Sequence, residues 1–306
     1  MMTSPIEYLK EYIKECHECF VIDAGAQLYL RSDESSAIER KKSQLYKRKA
    51  EIIKNIVDGR IIGEQSYFSR TVINYILVLQ HVIKQKEKIY IEEQLQHRRA
   101  IFEDDEMIDD YLVNRDGSPM TEEENVKFDE VEFESIVDRK GPPYEYDRLS
   151  VVKYAERWWN DYNPAYEKFE NDCTNYVSQC IRAGGVPKTG APNRTRGWWY
   201  DGNLWSYSWS VANALRWHLS GSKSGLQARE VSSPDQLLRG DVICYDFNGN
   251  GHWQHNTIVV AHDAEGMPLV NAHTTNSRMR YWAYEDSTAW TPNINYKFFQ
   301  IIDRNS

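Results

Sequence analysis

The segment Asn171-Asp172-Cys173-Thr174-Asn175-Tyr176-Val177-Ser178-Gln179-Cys180 sets a cysteine at the mouth of a predicted short amphipathic helix. Asp172 is a residue type that caps helix starts, because its carboxylate accepts from the free N–H groups of the first turn. Val177, Cys180 and Ile181 recur at helical spacing, and Gly184-Gly185 ends the segment. Cys173 lies on the same stripe, so it faces whatever the helix packs on. The first turn carries the positive end of the helix dipole and favours an anion. A thiol held there is biased toward thiolate. Since the thiolate is the nucleophile, cysteine acyl transfer is the chemistry this placement suits. The plainer alternative is a small core residue on an apolar stripe.

Such a nucleophile needs a base, and the downstream chain offers one. Gly240-Asp241-Val242-Ile243-Cys244-Tyr245-Asp246-Phe247 reads as a strand, and Asn248-Gly249-Asn250-Gly251 as a turn. His255-Asn256-Thr257-Ile258-Val259-Val260-Ala261 is a β-branched run, Asp263-Ala264-Glu265-Gly266 turns again, and Pro268-Leu269-Val270-Asn271-Ala272-His273 returns. In a short hairpin of this kind His255 and His273 come out roughly opposite each other, with Cβ atoms about 4.5–5.5 Å apart. One imidazole then activates the thiol and the other orients it, as in nucleophile–base–orienter triads. His252, in the turn, and His262, at the far end of its strand, are less well placed rivals for the base.

With these residues go Tyr146-Asp147-Arg148, Val152-Lys153-Tyr154-Ala155, Asn163-Pro164-Ala165-Tyr166, Gly197-Trp198-Trp199-Tyr200 and Ser208-Trp209. Over residues 146–303, about half the chain, the sequence resembles the bacterial putative amidase domain family, which is related to the CHAP and NlpC-type cysteine amidases of papain-like fold. The resemblance implies an α+β domain in which the cysteine opens a helix packed on an antiparallel sheet. A histidine starts one strand and a polar residue on the next completes the triad. Cys173 and His255 match directly. His273 is the choice for the third member, with Asn271 and Asn276 as rivals. The implied activity is cleavage of an amide bond in a cell-wall, murein-type peptide through an acyl-enzyme on Cys173. His255 passes the proton, and the Cys173 backbone N–H serves the oxyanion. That mechanism requires neither a cofactor nor a metal. Asp172, Tyr166, Trp198, Trp199 and Tyr200 are candidates for a peptide or peptidoglycan-fragment groove, since aromatic rings suit amphipathic ligands. The alternatives are a non-catalytic wall glycan- or peptide-binding module and an acyltransferase using the same thiol.

The elements that must position these residues occupy one half of the chain. All ten tryptophans of the 306 residues follow residue 157. The first 150 residues hold 22 basic and 31 acidic side chains, so the net charge of −9 belongs to them. The composition predicts a helix-plus-meander accessory domain at 1–113, an acidic linker at 114–145 and the amidase-like domain at 146–306. Pro5 to Cys16 and Ile38 to Val57 read as helices, and Thr71 to Val82 and Ile89 to His97 as strands. The basic run Arg40 to Lys49 reads as a solvated helix face. Glu103 to Asp110 and Thr121 to Asp138 read as a long acidic connection. Cys16 and Cys19 lack the second pair a structural zinc site needs and read as reduced thiols. The acidic balance argues against a nucleic-acid partner. Met1 to Phe20 has no signal-peptide pattern and no apolar run spans a bilayer, which makes the cytoplasm the default location.

Overall fold

A computed structural model describes residues 4–18, 32–118 and 143–304. It divides into two units: Met1–Glu122 with Tyr284–Thr288, and Glu123–Ala283 with Ala289–Ser306. The second unit leaves out the five residues 284–288.

In the first unit, α1 (Pro5–Glu18) and α2 (Ser32–Lys47) precede an antiparallel meander of β1 (Ala50–Tyr67), β2 (Arg70–Gln85), β3 (Lys88–Glu103) and β4 (Glu106–Leu112). Burial alternates along β2, and Ile73, Tyr75 and Leu77 meet Leu9 and Tyr12 of α1 in the core. Two expectations change here. The helix expected over Ile38–Val57 stops at Lys47, and Lys49 takes a positive φ of 52°. Ile52, Ile53, Ile56 and Val57 then lie in β1, where β-branched side chains fit a pleated surface better than a helix. The acidic Glu106–Leu112 is strand β4, because it pairs with β3 and Asp110 meets the buried Arg98 at 2.8 Å. The basic run is only partly solvated: Lys41 is buried between Glu92 and Asp286, and Arg48 donates to the Tyr90 hydroxyl. Cys16 is buried in α1, while Cys19 and the stretch from Thr121 to Asp138 lie outside the described residues.

The second unit is α+β. Its helices are α3 (Arg148–Trp158), α4 (Cys173–Ala183), α5 (Tyr207–Ser210) and α6 (Ala212–Gly221). A two-residue hairpin, β5 (Tyr200–Asp201) with β6 (Leu204–Trp205), lies between α4 and α5. The sheet is built from β7 (Ala228–Val231), β8 (Val242–Asp246), β9 (His255–His262), β10 (Pro268–Ala272), β11 (Asn276–Tyr281) and β12 (Asn295–Ile301). Within this unit the order is β11-β10-β9-β8-β12-β7, with every neighbouring pair antiparallel. α5 and α6 are separated at Val211, whose backbone is extended (φ −118°, ψ 126°).

One face of the sheet is covered by α3 and α4. Val177, Cys180 and Ile181 of α4 pack with Val242, Ile258 and Val260 in the main core. α3 is capped by Asp147, which accepts from the Leu149 and Ser150 N–H groups. The approach of α4 to α3 depends on Gly184. A Cβ there would stand 2.5 Å from Val151 and 2.6 Å from Tyr146. No helix among the described residues is long and apolar enough to cross a membrane.

Candidate active site

Cys173 is the first residue of α4 and is 2% exposed. Its Sγ lies 3.6 Å from Thr174 Oγ1. The first α4 backbone bond runs from Tyr176 N to Asp172 O. The N–H groups of Cys173 and the next two residues therefore belong to the helix start, where partners must come from outside the helix.

Asp172 occupies the N-cap position, but its side chain makes no capping bond. Its carboxylate turns the other way. Oδ1 accepts from Phe169 N at 3.0 Å and Asn175 Nδ2 at 2.8 Å, and Oδ2 meets His273 Nδ1 at 2.7 Å. This corrects the expectation that Asp172 caps the helix. The physical reason is burial: a carboxylate 1% exposed takes the strongest donors within reach, and an imidazole with two amide donors outcompetes the first-turn N–H groups.

His273 follows β10 directly and lies on the helix-bearing face. Its ring stacks on Tyr176 at 4.0 Å, and its Nε2 bonds the Trp158 carbonyl at 2.7 Å. His255 lies on the opposite face. Asn256 Nδ2 donates to Thr174 Oγ1 at 3.0 Å, which turns Asn256 toward α4. Successive strand side chains alternate between faces, so His255 points away. There it meets the rings of Tyr245 at 5.6 Å and Phe247 at 6.1 Å. Burial pushes its imidazole down to about 3, and Arg280 adds to that. The structure thus brings His273 to Asp172, the residue before Cys173, and sets the His255 ring against Tyr245 and Phe247.

The difference comes from the β9–β10 register. Pro268 pairs with His262 and Leu269 with Ala261, then an irregularity sets Val270 against Val259 and Asn271 against Ile258. Continued two residues, this register puts His273 level with Asn256 and not with His255. A slip of one residue exchanges the two faces of a strand.

Asn271 lies on the same helix-bearing face and its side chain bonds Tyr176, on which His273 stacks. Asn271 donates to Glu156 on α3 and accepts from Met279 N. Asn276 is buried at the start of β11. His262 bonds the Leu237 carbonyl at the far end of β9, and His252 follows a turn held by Asn250. Sequence reasoning missed Asn175 and Asn256. The available signal for Asn175 was its place one turn after Asp172, where the two side chains share a helix face.

The expected aromatic groove is corrected in part. Trp198 and Trp199 are 0% and 1% exposed and belong to the interior. Trp198 Nε1 donates to Ser178 Oγ, and Trp199 Nε1 to the carbonyls of Asn193 and Arg196. Gly197 permits this tight return at φ 64°, since a Cβ there would stand 2.0 Å from the Thr189 carbonyl oxygen. Tyr166 and Tyr200 do line a cavity of about 230 Å³ beside Trp209, with Arg182 and Lys188 among its walls. Burial raises the Tyr166 phenol, and the Arg182 guanidinium pulls it the other way.

Comparison with known proteins agrees with the placement of these residues in one unit. A family model described as a putative amidase domain matches residues 145–299. The Bacillus subtilis (strain 168) protein YhbB, itself uncharacterised, is 43% identical over 303 residues, covering 97% of this chain and 96% of YhbB. A second uncharacterised protein of that organism, YjcM, is 27% identical over 139 residues, 43% of this chain and 31% of its own. No solved structure matches. With the model spanning the sheet, α3 and α4, and with YhbB similar along nearly its whole length, this chain belongs to the putative amidase domain family.

Proposed function

We propose that the second unit breaks amide bonds with Cys173 as the nucleophile, on a papain-like arrangement of a cysteine-bearing helix over an antiparallel sheet. The observation that carries this is the placement of Cys173 as the first residue of α4, one residue after a carboxylate hydrogen-bonded to an imidazole on the same face. The Cys173 thiol gives its proton to an imidazole, and its sulfur attacks the amide carbonyl carbon. The oxyanion that forms accepts from the backbone N–H at the helix start, and the amine leaves with a proton from the imidazole. Water then releases the acid and restores the thiol. The imidazole on the thiol's face is His273, with Asp172 as its partner. Both its ring nitrogens are engaged in this structure, so proton exchange with the thiol requires the bond to the Trp158 carbonyl to open. The resemblance to wall amidases supports murein-type peptides as the substrate class.

The test uses Cys173→Ala, His273→Ala and His255→Ala proteins on wall-derived peptides, followed by mass spectrometry. We expect hydrolysis and a covalent adduct with the parent protein, and neither with Cys173→Ala. His273→Ala should lose turnover while His255→Ala keeps it. Hydrolysis by Cys173→Ala would remove the nucleophile assignment. A dead His255→Ala protein of normal fold, beside an active His273→Ala, would return the base to His255.

A further inference from the structure

We propose that the cavity walled by Tyr166, Tyr200 and Trp209 and edged by Arg182 and Lys188 is a subsite for an amino-acid-sized group bearing a carboxylate. This deepens the amidase reading of Cys173 and rests on it. At about 230 Å³ the cavity is smaller than the 300 Å³ or more common for whole ligands, and it suits one residue of a longer chain.

Its chemistry selects the group. Tyr166 stacks on Trp209 at 5.8 Å, and Tyr200 lies 5.5 Å from Trp209, so the floor is aromatic. Two cations stand against one carboxylate, that of the exposed Asp201. Arg182 Nη1 donates to the Val186 carbonyl and Lys188 Nζ to the Tyr200 carbonyl. Each bond uses one donor, where a guanidinium has five and an ammonium three. These backbone bonds hold the two heads in place while leaving donors to spare, and a held cation loses less entropy on meeting an anion. The positive excess favours an acidic group over a neutral one of equal size.

The cavity is tied to the nucleophile in two ways. Trp209 Nε1 donates to Asn175 Oδ1, and Asn175 Nδ2 donates to Asp172, the residue before Cys173. Arg182 lies nine positions after Cys173 on the same helix, about 13 Å along the axis at 1.5 Å per residue.

Saturation-transfer NMR titrations of the full chain with N-acetylglutamate and N-acetylglutamine, each as its α-amide so that the side-chain carboxylate is the one charge that differs, test this. We expect N-acetylglutamate to bind and N-acetylglutamine to bind at least about tenfold more weakly. Lys188→Gln should weaken N-acetylglutamate by about tenfold, Arg182→Gln should do likewise, and Lys188→Arg should keep most of the affinity. Unchanged melting temperatures keep the comparison valid for each variant; where Arg182→Gln unfolds, the Lys188 pair decides. Equal binding of the two probes, no saturable binding of either, or full affinity in Lys188→Gln would each overturn the proposal. Repeating the titration with Cys173→Ala separates the two readings. Binding retained in Cys173→Ala beside a parent protein without amidase activity sinks only the catalytic reading, and hydrolysis without carboxylate preference sinks only the subsite.

Discussion

Replacing Asp172 separates a helix cap from a buried clamp. As a cap, Asp172→Asn would be nearly neutral, and Asp172→Ala would cost about 1 kcal/mol. The structure instead gives the carboxylate three donors at 2.7, 2.8 and 3.0 Å, with Asp172 and His273 1% and 2% exposed. Alanine strands the His273 imidazole, the Asn175 amide and the Phe169 N–H. Each buried donor left without its acceptor costs about 1–3 kcal/mol. Because the three donors share one small space these costs do not add, and we expect a loss of about 4 kcal/mol. Asparagine keeps the shape and one acceptor but sets an NH₂ against a donor, for about 2 kcal/mol. The assay is urea unfolding followed by tryptophan fluorescence, which reports this unit alone because all ten tryptophans lie in it. At a slope of about 2 kcal/mol per molar, the alanine midpoint should fall by about 2 M. A shift under about 0.5 M for alanine, with asparagine indistinguishable from the parent, would refute the clamp and restore the cap.

Among the cysteines, burial raises Cys16 to about 12 and lifts Cys180 and Cys244 above the ordinary range. Peptide-resolved iodoacetamide labelling near neutral pH should therefore reach Cys173 well before these three, and equal rates would count against a nucleophile at the helix start. Burial lowers His218 to about 4 and His255 to about 3, against about 6.5 in an unfolded chain. Both are neutral when folded and gain a proton on unfolding below that value, so stability is present above about pH 6.5 and is lost as pH falls through the folded values. From pH 7.5 to 5 the loss from the pair is about 4 kcal/mol, read as a falling urea midpoint; a flat profile would show that these rings are already solvated. Gly197→Ala, which forces a Cβ to within 2.0 Å of the Thr189 carbonyl oxygen, should cost more than about 2 kcal/mol in the same unfolding assay, and a neutral result would mean the 189–198 return is loosely held.

The hydrophobic spacing of Val177, Cys180 and Ile181 was enough to place a helix after Cys173, because one face had to be apolar to bury. The β-branched runs around Val242, Ile258 and Val270 marked an antiparallel meander for the same kind of reason. Where two patterns overlapped, periodicity failed. Ile52, Ile56 and Val57 continue the spacing of α2, yet they pair with β2, and only that pairing reveals them as strand. The aromatic run from Trp198 to Tyr200 carried no sign of which rings face inward, because a turn-rich stretch has no period to read. Ser178, Asn193 and Arg196 decide it by satisfying the indole N–H groups inside.

Local sequence determined that Cys173 opens a helix, that histidines flank a hairpin, and that the aromatic half of the chain forms its own core. Those are properties of a few neighbouring residues, set by period, propensity and turn chemistry. Which imidazole meets the carboxylate before Cys173 was decided only in the tertiary structure. The irregularity between Leu269 and Val270 displaces the register by one residue, and on a strand of period two that exchanges inside for outside. The same holds for Asp172. Its residue type allows a cap, but its partner is His273, 101 positions away, and only packing brings that ring within 2.7 Å of its carboxylate.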